Sequence, residues 1–310
     1  MKVYRLGVIC VSIFMFFSCD SQEDKKGRFL LKGNGKIQEN DLTGAISFYS
    51  EALKIDPTFA EAYYNRGIAH SQLAKSEMAI SDFTNAISNK PEYLDAYFQR
   101  GWAHLDLGEK YKALEDAEAV IKLDQNGYRG YFLKGLVHES LKRYAEALND
   151  FEEAILRQPN NPDLLVNKAT ILFYTGKLDE ALEILENAEK INPEEANLYN
   201  LRSQIAFEKS DYEAALFWVE KALEKDPGQA YFYNNRGLYL LFAGQPEKGL
   251  EDINFSLRQN SKNLYALRNK GIYYVIKGEK DQAMVYLEDV YQKDPEIPLT
   301  KRFLEQAQKL

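Results

Sequence analysis

Three histidines, His70, His104 and His138, stand 34 residues apart and are the only ones in the chain. Imidazole is the commonest transition-metal ligand and titrates near neutral pH, so a regular column of it raises metal binding and pH sensing together. The equal spacing favours a third reading. Equivalent residues on stacked helices lie roughly 8–10 Å apart, whereas the ligands of one zinc converge to about 2 Å from it. The column therefore reads first as a packed structural slot, with a pH-sensitive contact second and a metal site last. Both cysteines, Cys10 and Cys19, fall near the N-terminus, so no downstream thiol can serve as a nucleophile or form a disulfide. Neither a glycine-rich phosphate loop nor a metalloprotease helix motif occurs. Adjacent acids such as Glu152-Glu153 and Glu194-Glu195 read as solvated charge. The expectation is no catalytic residue, no cofactor and no metal.

The 310 residues are 45% apolar, 13% aromatic and 28% charged, which is too apolar and aromatic for a disordered chain. Forty-seven acidic against 39 basic residues leave a net charge of −8. That is the wrong sign for a nucleic-acid binder, so nucleic acid is not expected as a partner. Lys2 and Arg5 precede an uncharged run from Leu6 to Phe17. The run is too short for a ~30 Å hydrocarbon core, which needs about 20 residues, but it suits the apolar region of an export signal. Past Ser18-Cys19 the composition turns polar, as Asp20-Ser21-Gln22-Glu23-Asp24-Lys25. A small residue directly before a cysteine, closing an apolar run, resembles the lipobox of bacterial lipoproteins, with Phe16-Phe17 where that family has leucine and a small residue. The resemblance implies that 1–18 is a signal peptide, that Cys19 is lipidated, and that 19–25 is an acidic tether. The protein would then be exported and held to a bacterial envelope membrane through its lipid anchor only. An ordinary secretory signal, releasing a soluble secreted subunit, is the alternative.

Self-similarity dominates the remainder. A 34-residue unit recurs eight times without insertion or deletion, as 26–59, 60–93, 94–127, 128–161, 162–195, 196–229, 230–263 and 264–297. Position 4 is aromatic or leucine (Tyr63, Tyr97, Tyr131), position 8 is small (Gly67, Gly101, Gly135), and position 20 is small again (Ala79, Ala113, Ala147). Proline closes six blocks, with Gln125 and Ser261 in its place in the other two. The pattern resembles the tetratricopeptide repeat. It implies an all-α, right-handed α-solenoid of eight helix–turn–helix (TPR) repeats with a C-terminal capping helix over 298–310.

Elementary chemistry places the elements. Gly108, Gly176, Gly244 and Gly278 at position 15 mark the end of each first helix, where a left-handed residue is needed. Pairs such as Asp56-Pro57 and Asn192-Pro193 stop the second helix, because proline pushes its predecessor away from helical geometry. One hairpin cannot bury its own apolar face, so neighbours must stack. Position 7 is basic in every block, and four blocks carry aspartate at position 23. That spacing predicts inter-helix ion pairs Arg66–Asp82, Arg100–Asp116, Lys134–Asp150 and Arg236–Asp252.

In the resembled family the first helix of each repeat lines the concave surface, with positions 2, 5, 6, 9, 12 and 13 inward. Those offsets form one helical face. They yield a candidate peptide-binding groove: Tyr64, Phe98 and Phe132 at position 5, Ile68 and Trp102 at position 9, and Asn65, Gln99, Asn167, Asn235 and Asn269 at position 6. The amides resemble a ladder that holds a peptide backbone through paired donors and acceptors, with the aromatics taking side chains. Simple packing of these residues against the next unit is the alternative. The carboxylate clamp of co-chaperone members, lysine at position 5 with asparagine at position 9, is missing. The expected function is a non-catalytic adaptor or scaffold at the bacterial envelope, whose partner is a peptide segment or helix of an envelope protein. A chaperone-like or assembly-factor subunit, and less so a metal protein using the histidines, are the alternatives.

Overall fold

Residues 21–310 are described by a computed structural model and consist of helices and turns, with no strand among them. They divide into two compact units. The first, ending at Asp124, pairs α1 (Gln22–Gln38) with α2 (Leu42–Ile55), α3 (Ala60–Gln72) with α4 (Ser76–Asn89), and α5 (Leu94–Asp106) with α6 (Lys110–Leu123). The second, Gln125–Leu310, pairs α7 (Arg129–Ser140) with α8 (Tyr144–Arg157), α9 (Pro162–Tyr174) with α10 (Leu178–Ile191), and α11 (Ala196–Glu208) with α12 (Tyr212–Lys225). It continues with α13 (Ala230–Phe242) on α14 (Pro246–Gln259) and α15 (Leu264–Lys277) on α16 (Lys280–Lys293), and ends in the unpaired α17 (Thr300–Gln308). This is the all-α solenoid of helix–turn–helix pairs, with a capping helix, that the repeat predicts. The division into two units is not visible in the repeat itself. Its seam falls at Gln125, one of the two places where the closing proline is missing.

The turn inside each pair is set by position 15. Gly108, Gly176, Gly244 and Gly278 have φ between 74° and 77°, and Asn40, Ala74, Lys142 and Ser210 adopt φ of 54° to 59° at the same position. The left-handed residue lets the following N–H reach back five residues, as Lys75 to His70 O (2.9 Å) and Glu109 to His104 O (2.8 Å), which satisfies carbonyls at the helix end. In several hairpins the small residue at position 8 accommodates a large one at position 24. A Cβ on Gly67 would lie 2.6 Å from the Phe83 ring, and one on Gly135 would lie 2.7 Å from Phe151. Phe83 and Phe151 are fully buried against those bare backbones.

All four predicted ion pairs form. The shortest N–O distances are 2.7 Å for Arg66–Asp82, 2.6 Å for Arg100–Asp116, 3.6 Å for Lys134–Asp150 and 2.6 Å for Arg236–Asp252. Arg66 and Arg236 each donate from two nitrogens to both carboxylate oxygens. That fork geometry fixes helix register as well as charge.

Two expectations need correction at the ends. Gln22–Lys25, expected within an extended tether, belongs to α1. Ser21 Oγ accepts from the Asp24 N–H (3.0 Å) while the Asp24 carboxylate accepts from the Ser21 N–H (3.2 Å), a reciprocal cap that starts the helix early. At the C-terminus Phe303 and Ala307 of α17 are buried, but Leu310, the last residue of the expected 298–310 cap, is beyond the helix and 53% exposed. The expected signal peptide and Cys19 lie outside the described residues. Among the described residues no helix is long and apolar enough to cross a membrane.

Candidate functional site

In the first unit the predicted groove residues sit on α3 (Tyr64, Asn65, Ile68) and α5 (Phe98, Gln99, Trp102), all of them half-buried. Tyr64 packs 4.9 Å from the ring of Tyr93 and 5.9 Å from that of Phe83, and Phe98 meets Trp102 edge-on at 6.4 Å. Asn65 Nδ2 donates to Asn34 Oδ1 (3.0 Å), an oxygen that also accepts the Tyr49 hydroxyl (2.8 Å). The amide at position 6 thus reaches across to the preceding repeat.

In the second unit the same positions behave differently along the chain. Phe132 on α7 is half-buried, 6.1 Å from Phe151. Asn167 on α9 is half-buried and donates to its own helix at Asp163 O (2.7 Å). Asn235 donates to Asn200 Oδ1 (2.9 Å). Asn269 is 0% exposed: it donates to Asn234 Oδ1 (2.9 Å) and accepts two bonds from Arg268, whose third nitrogen reaches Pro298 O (2.9 Å). Burial pushes the Arg268 guanidinium down to about 10. Asn269 is therefore a core residue and not a groove residue. The reason is that α13 and α15 pack directly on each other, so their facing amides must satisfy one another.

Between these extremes α9 and α11 leave a cavity of about 230 Å³, lined by Asn167, Thr170, Tyr174, Asn197, Asn200 and Gln204. Its chemistry is neutral and polar. Asn200 Oδ1 is taken by Asn235, and Asn197 Oδ1 accepts the Tyr231 hydroxyl. Among the described residues no partner engages the Nδ2 groups of Asn197 and Asn200 or the amide of Gln204, so the cavity offers N–H donors beside the side-chain carbonyl oxygens of Asn167 and Gln204. Sequence reasoning singled out Asn167 here and not Tyr174 or Asn197. Both occupy inward positions of the repeat, 13 and 2, and that was the available signal.

Each histidine engages an acid of its own hairpin. His104 Nδ1 lies 2.6 Å from Glu109, His138 Nδ1 2.6 Å from Asp150, and His70 Nε2 3.7 Å from Asp82. Burial holds the His70 imidazole below its ordinary range. Among the described residues no group of three or more His, Cys, Asp or Glu is gathered as a metal would require. Near the end of α7, the Glu139 carboxylate has neither an ion-pair nor a hydrogen-bond partner among the described residues, and burial pushes it up to about 7.

Family models of the tetratricopeptide repeat match residues 60–93, 98–163, 140–205, 196–229 and 218–251, and a TPR-repeat model matches 33–73. The chain belongs to the tetratricopeptide-repeat family. No curated protein matches the sequence. Among solved structures, a chain of the APC/C hetero-tetramer Cut9–Hcn1 is similar over 94% of this chain, with a TM-score of 0.70 and 14% identity, and this chain spans 57% of its length. PilF of Pseudomonas aeruginosa is similar over 68% of this chain and 96% of its own (TM-score 0.56, 17% identity). MamA from Desulfovibrio magneticus RS-1 is similar over 56% of this chain and 99% of its own (TM-score 0.52, 17% identity). At these identities the likeness is one of fold.

Proposed function

We propose that this protein is a non-catalytic interaction scaffold, of the assembly-factor type, that captures a peptide segment on the inner helices of its repeats. The observation that carries this reading is the amide-lined cavity between α9 and α11. Its amide donors and acceptors match those of an extended main chain. In the same unit Phe132 provides further inner-face surface, and in the first unit Tyr64, Asn65, Ile68, Phe98, Gln99 and Trp102 form a separate candidate surface. The similar Cut9–Hcn1 structure is a hetero-tetramer, in keeping with a fold that carries partner chains. A photo-crosslinking residue placed at Gln204 should yield one discrete crosslinked species in cells, and one placed at the outward Phe217 should not. Indistinguishable products from the two positions would remove the reading.

A second reading adds export and lipid anchoring to the envelope, and rests on Lys2, Arg5, the run Leu6 to Phe17 and the Ser18-Cys19 junction. Labelling with a fatty-acid analogue in wild type and Cys19→Ala tests it. Loss of label in the variant supports the anchor, and equal labelling ends it.

A further inference from the structure

The cavity between α9 and α11 offers more than amides. Tyr174, the last residue of α9, lines it and is 50% exposed, with its ring braced 5.5 Å from that of Tyr144 and 5.6 Å from that of Phe173. Tyr231, near the start of α13, donates its hydroxyl to Asn197, which also lines the cavity. The Tyr231 side chain is 41% exposed, and its ring meets Phe232 edge-on at 4.4 Å. Two tyrosine rings, each held by aromatic neighbours, thus adjoin a set of side-chain amides. None of the eight lining residues is charged.

This combination restricts what the segment can be. A helical partner spends its main-chain N–H and C=O groups on itself, which leaves little for side-chain amides to bond. A polyproline II segment has no internal main-chain hydrogen bonds, so those groups stay open. Its carbonyls suit the Nδ2 groups of Asn197 and Asn200, and the N–H groups of its non-proline residues suit the side-chain oxygens of Asn167 and Gln204. Its proline rings are apolar, and in a polar cavity the exposed tyrosine rings are the surfaces that cover them. A charged side chain is a poorer occupant, because no opposite charge lines the cavity to offset its desolvation. We propose that the segment captured between α9 and α11 is an uncharged, proline-containing stretch in the polyproline II conformation. Its prolines rest on Tyr174 and Tyr231, and the main chain between them bonds the amides of Asn197, Asn200 and Gln204.

This proposal rests on the peptide-capture reading, and the experiment separates the two. A phage-displayed random dodecapeptide library is selected on the immobilised full chain, as wild type, Tyr174→Ala and Tyr231→Ala. Circular dichroism confirms that each variant is folded. Wild type should enrich uncharged peptides that share two prolines at a fixed separation. In synthetic copies, alanine at both prolines should weaken binding to wild type by about tenfold and to either variant by less than about threefold. Enriched peptides without a shared proline pattern, or an equal alanine effect on wild type and both variants, would overturn the proposal while leaving peptide capture standing. No enrichment on wild type would overturn both.

Discussion

The inner faces of the first unit and of the last three repeats use the same repeat positions in opposite ways. In the first unit Tyr64, Asn65, Phe98, Gln99 and Trp102 are half-buried, and large rings dominate. In the last three repeats Asn200, Asn234, Arg268 and Asn269 are buried, and polar groups bond from repeat to repeat. A polar residue at an inward position is therefore not in itself a recognition residue. What decides is whether successive first helices enclose and pair it, as α13 and α15 do Asn269. Where they do, an amide fixes the stacking, because a buried donor left unpaired costs about 1–3 kcal/mol. Where they leave a cavity between them, as α9 and α11 do, the amide remains available.

The largest effect should come from the closed end. Asn269→Ala strands the buried Arg268 guanidinium and the Asn234 amide, and should cost about 3 kcal/mol in denaturant unfolding. A loss below about 1 kcal/mol would dissolve the contrast between the two faces. Next is Glu139. Burial raises its folded carboxyl to about 7, so the native state holds the proton at pH values where the unfolded chain has released it. Stability from this group is full below about pH 4.5, declines as pH rises toward 7, and then levels. Glu139→Gln should remove that decline and raise stability above pH 7.5 by about 2–3 kcal/mol, read from unfolding curves across pH. Smaller again is the turn: Ala74→Gly should stabilise by about 1 kcal/mol, because Ala74 holds a φ of 54° that glycine adopts freely. Asn65→Ala should cost less than about 1 kcal/mol, as its single bond to Asn34 is only part-buried. An Asn65 loss equal to that of Asn269 would mean the two faces are built alike.

The elements that repeat were legible. Gly108 and its equivalents announced the turn, and arginine at position 7 with aspartate at position 23 announced the Arg66–Asp82 type of pair, because both lie within one hairpin whose geometry the sequence pattern specifies. The fate of Asn235 and Asn269 was not legible from position 6 alone, since it depends on which residue of the preceding first helix faces the amide. A sharper signal did exist. Position 5 of one repeat bonds position 6 of the next, as Asn200 to Asn235 and Asn234 to Asn269, so paired asparagines 35 residues apart mark the closed stretch. Glu139 escaped notice because an isolated glutamate near a helix end looks solvated until its burial is seen.

The four left-handed residues of the hairpin turns at position 15 that are not glycine, Asn40, Ala74, Lys142 and Ser210, have a consequence for engineering. Each carries a local strain that glycine would relieve, and each lies in the turn at the far end of its first helix from the repeat junction. The array thus holds thermal headroom in its loops, and it can be hardened there without redrawing the surface that meets a partner.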